Sequence, residues 1–175
     1  PDWLTDKTQG WQDNFVVKFW HPEWKAIVRE RIRQVVAAGF DGIYLDRVDT
    51  WESIKHPSGS SRAEMIQLVK EVSSQARGLK GDIAIIAQNG EELLTDGGYV
   101  AAIDAVAKES LMYGVPTIGQ RNSASEVSHS ANLLRGFKSK GKAVFVVEYI
   151  SSNDSVASEI RKFGFVPHFG SRALN

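Results

Sequence analysis

Acidic and amide side chains follow four of the apolar segments that this sequence predicts to be strands. Asp46 lies near the end of GFDGIYLDRV, Gln88 and Asn89 follow the run DIAIIA, Glu109 ends IDAVAKE, and Glu148 lies near the end of KAVFVVEYI. In parallel α/β folds the carboxyl ends of the strands open onto one face, where ligands and catalytic groups gather. We therefore expect these side chains to line one shared mouth.

Two of these carboxyl groups suit the hydrolysis of a glycosidic bond. In that reaction one carboxyl protonates the leaving oxygen, while the other attacks the anomeric carbon or activates water. Asp46 and Glu109 end strands that are two apart in the predicted order. Adjacent parallel strands lie about 4.8 Å apart, so these strand ends are about 10 Å apart before the side chains lean inward. The carboxyls are then within the roughly 5–10 Å that either stereochemical course requires.

Structural interpretations of the same residues stay open. Asp46 could cap the turn after its strand, and Glu109 could form an ion pair with the preceding Lys108. Gln88 and Asn89 either orient a sugar hydroxyl or satisfy a turn. Strand-end acids in α/β folds are often functional, which favours the catalytic interpretation of Asp46 and Glu109.

Two further acids are candidates for substrate binding. Glu148 stands in an apolar run, where a buried and unpaired acid costs several kcal/mol, so it is either functional or strongly hydrogen-bonded. Asp49, three residues after Asp46, either supports the site or forms a salt bridge with Arg47.

Aromatic residues supply candidates for contact with a sugar ring. Trp51 follows the Asp46–Asp49 segment and is the expected stacking platform, whereas Trp20 and Trp24 are expected in the core. Tyr113, in the segment VAKESLMYG, is a further candidate substrate-binding residue.

The sequence lacks the residues and motifs on which several other kinds of chemistry depend. There is no cysteine, the four histidines show no H-x-x-H or H-E-x-x-H spacing, and no G-x-S-x-G, G-x-G-x-x-G or G-x-x-x-x-G-K motif occurs. We therefore expect neither a metal nor another cofactor.

The charge of the chain is balanced, since Lys and Arg together number 21 and Asp and Glu together number 21. No basic stripe occurs, which argues against nucleic acid or an anionic membrane as the main partner. No apolar run approaches the roughly 18 residues of a spanning helix.

The segments that must position these residues alternate between strand and helix, which predicts an α/β fold with a parallel sheet. The predicted strands are 39–48, 82–88, 103–109, 142–150 and 163–169. Helices are expected from Pro22 to Gly39, after a cap at Ser60 or Ser61, over roughly 124–138, and from Asn153 or Asp154 to Phe163. Residues 1–20 are Trp-rich without a clear period and are interpreted as an irregular arm. No linker divides the chain, so residues 1–175 are predicted to form one domain.

Five blocks of the chain, in order, resemble a known family. They are WQDNFVVKFWHPEWKAIV, AAGFDGIYLDRVD, IIAQNGEELL, VAKESLMYG and VFVVEYI. Together they resemble the endo-α-1,4-polygalactosaminidase family, glycoside hydrolase family 114, and its bacterial and archaeal relatives. The GFDGIYLDRVD block is the most specific of the five. The resemblance implies a (β/α)₈ barrel that cleaves α-1,4-linked galactosamine-containing polysaccharide, is typically secreted, and needs no metal cofactor.

The resemblance also implies a catalytic pair, which falls on Asp46 and Glu109. We expect Asp46 as nucleophile or base and Glu109 as general acid. Family members carry an N-terminal portion ahead of the FWHPEW region, and nothing in this sequence corresponds to it. A full barrel needs about 250 residues. The chain is therefore expected to cover strands four to eight, with the N-terminal portion on another chain, lost, or replaced by pairing of two copies. The alternative to a hydrolase is a non-catalytic carbohydrate-binding or assembly module derived from the same barrel.

Overall fold

Five parallel strands joined by helices form the sheet that carries the candidate site, which confirms the predicted α/β class. The computed structural model describes residues 1–7, 14–115 and 117–171. The sheet runs in the order β3-β4-β5-β6-β7, and every neighbouring pair is parallel. Its strands are β3 (Gly42–Leu45), β4 (Ala84–Gln88), β5 (Ala105–Glu109), β6 (Ala143–Glu148) and β7 (Val166–Phe169). All five lie inside the predicted strand segments.

Side-chain caps fix where the five helices of the described residues begin. The helices are α1 (Pro22–Ala37), α2 (Ser61–Leu79), α3 (Gly97–Ala102), α4 (Ala124–Lys138) and α5 (Asp154–Lys162). The sequence left two candidate caps for each of α2, α4 and α5. The structure selects Ser60, Ser123 and Asn153, whose side chains accept hydrogen bonds from backbone N–H groups in the first turns of these helices. Ser123 forms a full capping box with Glu126. None of the helices in the described ranges is long and apolar enough to cross a membrane.

The N-terminal arm is more regular than its sequence predicts. Strand β1 (Leu4–Lys7) pairs antiparallel with β2 (Phe15–Val17), and the Trp3 ring lies 5.2 Å from that of Trp24. The irregular interpretation of residues 1–20 is therefore wrong for these two segments. Strands of four and three residues are too short for an alternating pattern to be recognised. Residues 8–13 of the arm lie outside the described part of the chain.

Three short elements were not predicted. They are α3 and two 3₁₀ turns, Val48–Glu52 and Glu91–Thr95, which follow β3 and β4 directly. Elements of five or six residues do not complete two helical turns, so no helical periodicity can appear in their sequences.

A shared register sorts the strand side chains onto two faces of the sheet. Because successive side chains of a strand point to opposite faces, each strand contributes alternate residues to each face. One face, here called the helix face, is covered by the helices, and its central residues are at most 2% exposed. The other is called the site face. The register places Leu45, Ala87, Val106, Val146 and Pro167 on the helix face, and Tyr44, Ile86, Ala107, Glu109, Val147 and His168 on the site face.

The outer strands are much less covered than the central ones. No strand of the described residues pairs with the free edge of β3 or of β7. An apolar groove of about 570 Å³ lies between α1 and β3, where Ile27, Phe40 and Tyr44 are 48%, 60% and 50% exposed. Parallel sheets normally bury both faces and cover their edges. Among the described residues, the β3 edge is thus an uncovered apolar surface, and Asp46 directly follows that strand.

Tyr99 provides a test of the core packing. Its ring is fully buried, and its hydroxyl has no hydrogen-bond partner among the described residues. A buried polar group without a partner costs about 1–3 kcal/mol. We predict that Tyr99→Phe leaves the free energy of unfolding unchanged or raises it by about 1 kcal/mol, as measured by denaturant titration.

Ser123→Ala is the matched control, since it removes a hydroxyl that caps a helix. It should lower the free energy of unfolding by about 1 kcal/mol. A comparable loss in Tyr99→Phe would mean that the Tyr99 hydroxyl is satisfied in solution.

Candidate active site

A cavity of about 450 Å³ opens at the carboxyl ends of β3 to β6. It contains five of the residues predicted for the site. Its lining consists of Asn14, Tyr44, Asp46, Arg47, Asp49, Gln88, Asn89, Glu109 and Tyr149. The structure therefore brings the two candidate catalytic carboxyls, Asp46 and Glu109, to one cavity from strands two apart.

The same backbone turn follows three adjacent strands. Arg47, Asn89 and Ser110 have φ angles of 62°, 55° and 58°, in the left-handed region that residues with a side chain rarely adopt. Each turn is held from the neighbouring strand. The Arg47 N–H donates to the Gln88 side-chain oxygen (3.1 Å), and the N–H groups of Asn89 and Ser110 donate to backbone carbonyls (2.9 and 2.8 Å).

These turns align the side chains that precede them. The residue immediately before each left-handed position lies at the end of its strand and lines the cavity: Asp46, Gln88 and Glu109. Strained backbone at matching positions is common at functional sites, where the surroundings over-determine it. The strand ends are thus held at one level around the cavity.

The turn that follows Asp46 holds its carboxyl in place, and the charge of Glu109 affects the pKa of that carboxyl. Its Oδ1 accepts the Arg47 N–H at 2.8 Å. Burial raises the pKa of the Asp46 carboxyl, and the charge of Glu109 raises it further against the opposing Arg47 N–H. Burial and the charges of both carboxylates also raise the pKa of Tyr44 to about 12. Glu109 is therefore close enough for its charge to affect the ionisation of Asp46.

Glu109 is fixed through its backbone and its side chain. The Glu109 N–H donates to Asn89 Oδ1 (2.9 Å), and Asn89 Nδ2 donates to Asp49 Oδ2 (3.2 Å). On the other side, the Tyr149 hydroxyl donates to Glu109 Oε1 (2.6 Å). Asn89 was predicted to bind a sugar hydroxyl or satisfy a turn, and its amide connects Asp49 with the Glu109 backbone. Residues from four successive strands and their following turns thus support the cavity.

The ion pair suggested for Glu109 forms elsewhere. Lys108 points to the helix face and pairs with Glu91 at 2.9 Å, with both side chains largely buried. Asp49 does pair with Arg47, but at 3.9 Å and half exposed, a geometry that contributes little. Glu109 therefore keeps its carboxylate directed to the cavity and to Tyr149.

Glu148 does not line the cavity. It shares the helix face with Val144 and Val146 and is 0% exposed. Its two oxygens accept the backbone N–H groups of Met112 (2.6 Å) and Tyr113 (3.2 Å). Burial raises the pKa of Glu148, and these N–H groups oppose the shift. Of its two interpretations, the structure favours the strongly hydrogen-bonded one, in which Glu148 anchors the loop that follows Glu109.

Two aromatic candidates also lie outside the cavity. Trp51 belongs to the 3₁₀ turn after β3, packs against the core, and lines an adjoining recess of about 270 Å³. The Tyr113 hydroxyl accepts a hydrogen bond from Arg121 (3.4 Å), whose guanidinium lies 5.5 Å from the Tyr113 ring centre. Trp51 and Tyr113, which were expected to contact the sugar, therefore do not line the cavity around Asp46.

Four cavity residues were missed by the sequence reasoning: Asn14, Tyr44, Arg47 and Tyr149. Alternation along the strands would have found two of them. Tyr44 lies two residues before Asp46, and Tyr149 lies two residues after Val147, the register partner of Glu109. Asn14 comes from the N-terminal arm, and no pattern in the sequence indicates its position.

Metal binding was not expected. Within residues 1–7, 14–115 and 117–171, no group of three or more His, Asp or Glu side chains is arranged to hold a metal ion.

Comparison with known proteins gives one family and several relatives. The model of "Glycoside-hydrolase family GH114" matches residues 1–175. An uncharacterised protein of Deinococcus radiodurans is 34% identical over 182 residues, which cover 100% of this chain and 57% of that protein. The chain spans about half the length of the curated relatives it matches.

Solved structures share the fold at low sequence identity. The glycoside hydrolase domain of PelA from Pseudomonas aeruginosa matches with a TM-score of 0.79 at 18% identity. Aspergillus fumigatus Ega3 in complex with galactosamine matches with a TM-score of 0.74 at 16% identity. Each match covers 99% of this chain, and 70% and 67% of the respective solved chain. The predicted relation to a TIM-barrel hydrolase fold is confirmed, and the sheet described above corresponds to part of that fold.

The anchoring role of Glu148 can be tested by an isosteric change. Glu148→Gln keeps one acceptor oxygen and turns an N–H₂ group toward a backbone N–H. Leaving a buried donor unsatisfied costs about 1–3 kcal/mol, so we predict a loss of that size in the free energy of unfolding. The exposed Glu30→Gln is the control and should change stability by less than about 0.5 kcal/mol. Equal stability of the two variants would contradict the anchoring role.

Proposed function

Because the chain belongs to glycoside-hydrolase family GH114, we propose that it hydrolyses α-1,4 linkages in a galactosamine-containing polysaccharide. Asp46 and Glu109 are the proposed catalytic pair. The observation that carries this proposal is the meeting of their two carboxyls in one cavity, where burial and, to a smaller extent, the charge of Glu109 raise the pKa of Asp46. A pair of carboxyls flanking the scissile bond is what glycoside hydrolysis requires.

The two carboxyls take the roles of acid and of nucleophile or base that glycoside hydrolysis requires. In the proposed reaction Glu109 gives its proton to the glycosidic oxygen, and that bond breaks. Asp46 attacks the anomeric carbon or deprotonates the water that does so. Water supplies the proton and hydroxyl that the two products gain.

The charge of the cavity supports a cationic substrate. Three of its lining residues are acidic (Asp46, Asp49 and Glu109), and Arg47 is the one basic residue among them. A cleft with an excess of one charge concentrates ligands of the opposite sign. Galactosamine carries a protonated amine near neutral pH, and it is the ligand in the Ega3 complex. Action on an extracellular polymer also makes secretion part of the proposal.

The catalytic pair is tested by two isosteric substitutions. Asp46→Asn and Glu109→Gln should each lower the formation of new reducing ends by at least about a thousandfold, because each removes a group that moves a proton or bonds to carbon. The assay uses α-1,4-galactosamine oligosaccharides, and circular dichroism reports whether the variants remain folded.

Asp82→Asn serves as the control, since Asp82 is exposed and precedes β4 at the opposite end of the sheet. It should keep wild-type activity. Activity retained in Asp46→Asn or Glu109→Gln would remove that residue from the mechanism. Saturable binding by the wild type without new reducing ends would instead favour the carbohydrate-binding module.

Asp49 allows a separate test of the cationic substrate. Asp49→Asn removes one negative charge and keeps an oxygen that can accept the hydrogen bond from Asn89. A half-exposed charge contributes up to about 1 kcal/mol, so we predict a two- to fivefold higher KM, as an order of magnitude, for galactosamine oligosaccharides. The KM for N-acetylated oligosaccharides should not change. An equal rise for both substrates would argue that Asp49 acts on the shape of the site and not on its charge.

A further inference from the structure

We propose that Tyr149 is a positioning residue that holds Glu109 Oε1 and leaves Oε2 as the oxygen that exchanges a proton with the substrate. This inference rests on the proposed function, because it assigns work to Glu109 in hydrolysis. Tyr149 was not among the residues that the sequence indicated, and it follows directly after Glu148 at the end of β6.

The position of Tyr149 follows from the register of β5 and β6. Glu109 pairs with Val147, and Tyr149 lies two residues beyond Val147, so it emerges on the site face beside Glu109. Its hydroxyl reaches Glu109 Oε1 at 2.6 Å, a length typical of a charge-assisted O–H···O⁻ bond. One of the two carboxylate oxygens is therefore already engaged from the side of β6.

The surroundings keep Tyr149 as the donor. Burial raises the pKa of the Tyr149 hydroxyl, and the Glu109 carboxylate raises it further, so the hydroxyl stays neutral across the range in which carboxyls titrate. Other titratable groups facing Tyr149 are Tyr44 and Asp46 from β3 and His168 from β7. Because Tyr149 donates to Oε1, a proton carried by Glu109 resides on Oε2.

This hydrogen bond stabilises Glu109 differently before and after proton transfer. A hydroxyl bonds a carboxylate about twice as strongly as it bonds a neutral carboxylic acid. The bond from Tyr149 therefore strengthens as Glu109 releases its proton to the glycosidic oxygen. An interaction that is stronger in the transition state than in the ground state accelerates the step. The Asn89 bond to the Glu109 N–H fixes the other end of the residue, so removal of the Tyr149 hydroxyl affects chiefly the carboxyl.

Tyr149→Phe tests the inference through a pH profile. Without the donor, Glu109 keeps its proton to a higher pH and gives it up less readily. We expect kcat/KM at the optimum to fall about tenfold, and the alkaline limb of the profile to move up by about one pH unit. The acidic limb, assigned to Asp46, should move less. An acidic limb that moves up instead would support the contact and assign Glu109 as the base. A profile with neither limb displaced would overturn the inference.

Two other tyrosines serve as controls. Tyr44→Phe removes a hydroxyl in the same cavity that makes no hydrogen bond to Glu109, and Tyr99→Phe removes one in the core. Neither should displace the limbs of the profile.

A second measurement separates this inference from the proposed function. The ¹³C chemical shift of the Glu109 carboxyl, followed against pH, reports its ionisation without turnover. In Tyr149→Phe the midpoint should be about one pH unit higher than in the wild type. Equal midpoints would overturn the role of Tyr149 whether or not the chain hydrolyses polysaccharide. A wild type without activity but with a displaced midpoint in the variant would overturn the proposed function alone.

Discussion

The common register of the five parallel strands is the constraint on which the site depends. Each strand alternates its side chains between two faces, so the pairing of β3 through β7 decides which residues meet. A shift of one residue in any strand would exchange its faces. Slippage of β5 would turn Lys108 toward the cavity and Glu109 toward the buried helix face, where an unpaired carboxylate is costly. The apolar burial of the helix face therefore holds the geometry of the proposed catalytic pair as well as the core.

The left-handed turns after β3, β4 and β5 place the side chain at the end of each strand in the cavity. Each left-handed residue changes the direction of the chain directly after Asp46, Gln88 or Glu109. The three strands therefore end at the same height along the sheet. Such backbone costs about 1–2 kcal/mol for each residue with a side chain. The hydrogen bonds from Arg47, Asn89 and Ser110 to the neighbouring strand offset part of this cost. Each turn is thus supported by the next strand, and the strand ends form one connected rim.

The sequence predicted the strands and most helix starts because those features depend on residues close together in the chain. Asp46, Gln88 and Glu109 could be chosen because polar residues at the ends of apolar runs are conspicuous. The side on which Glu148 lies could not be inferred in the same way. Strand β6 is apolar on both faces, so its sequence shows no alternation from which to assign sides. The contact of Tyr149 with Glu109 likewise required the register between strands, which is a property of the folded sheet.

The edge of β3, which no strand of the described residues covers, lies beside the candidate site. Tyr44 and Asp46 line both the cavity and the apolar groove between α1 and β3, so the two spaces meet at these side chains. Burial is the main cause of the raised pKa of Asp46. Any group that covers the groove, whether a sugar ring or another polypeptide segment, would withdraw more water from this carboxyl and raise its pKa further. The pKa of Asp46, one of the two proposed catalytic carboxyls, therefore depends on whether the groove between α1 and β3 is occupied.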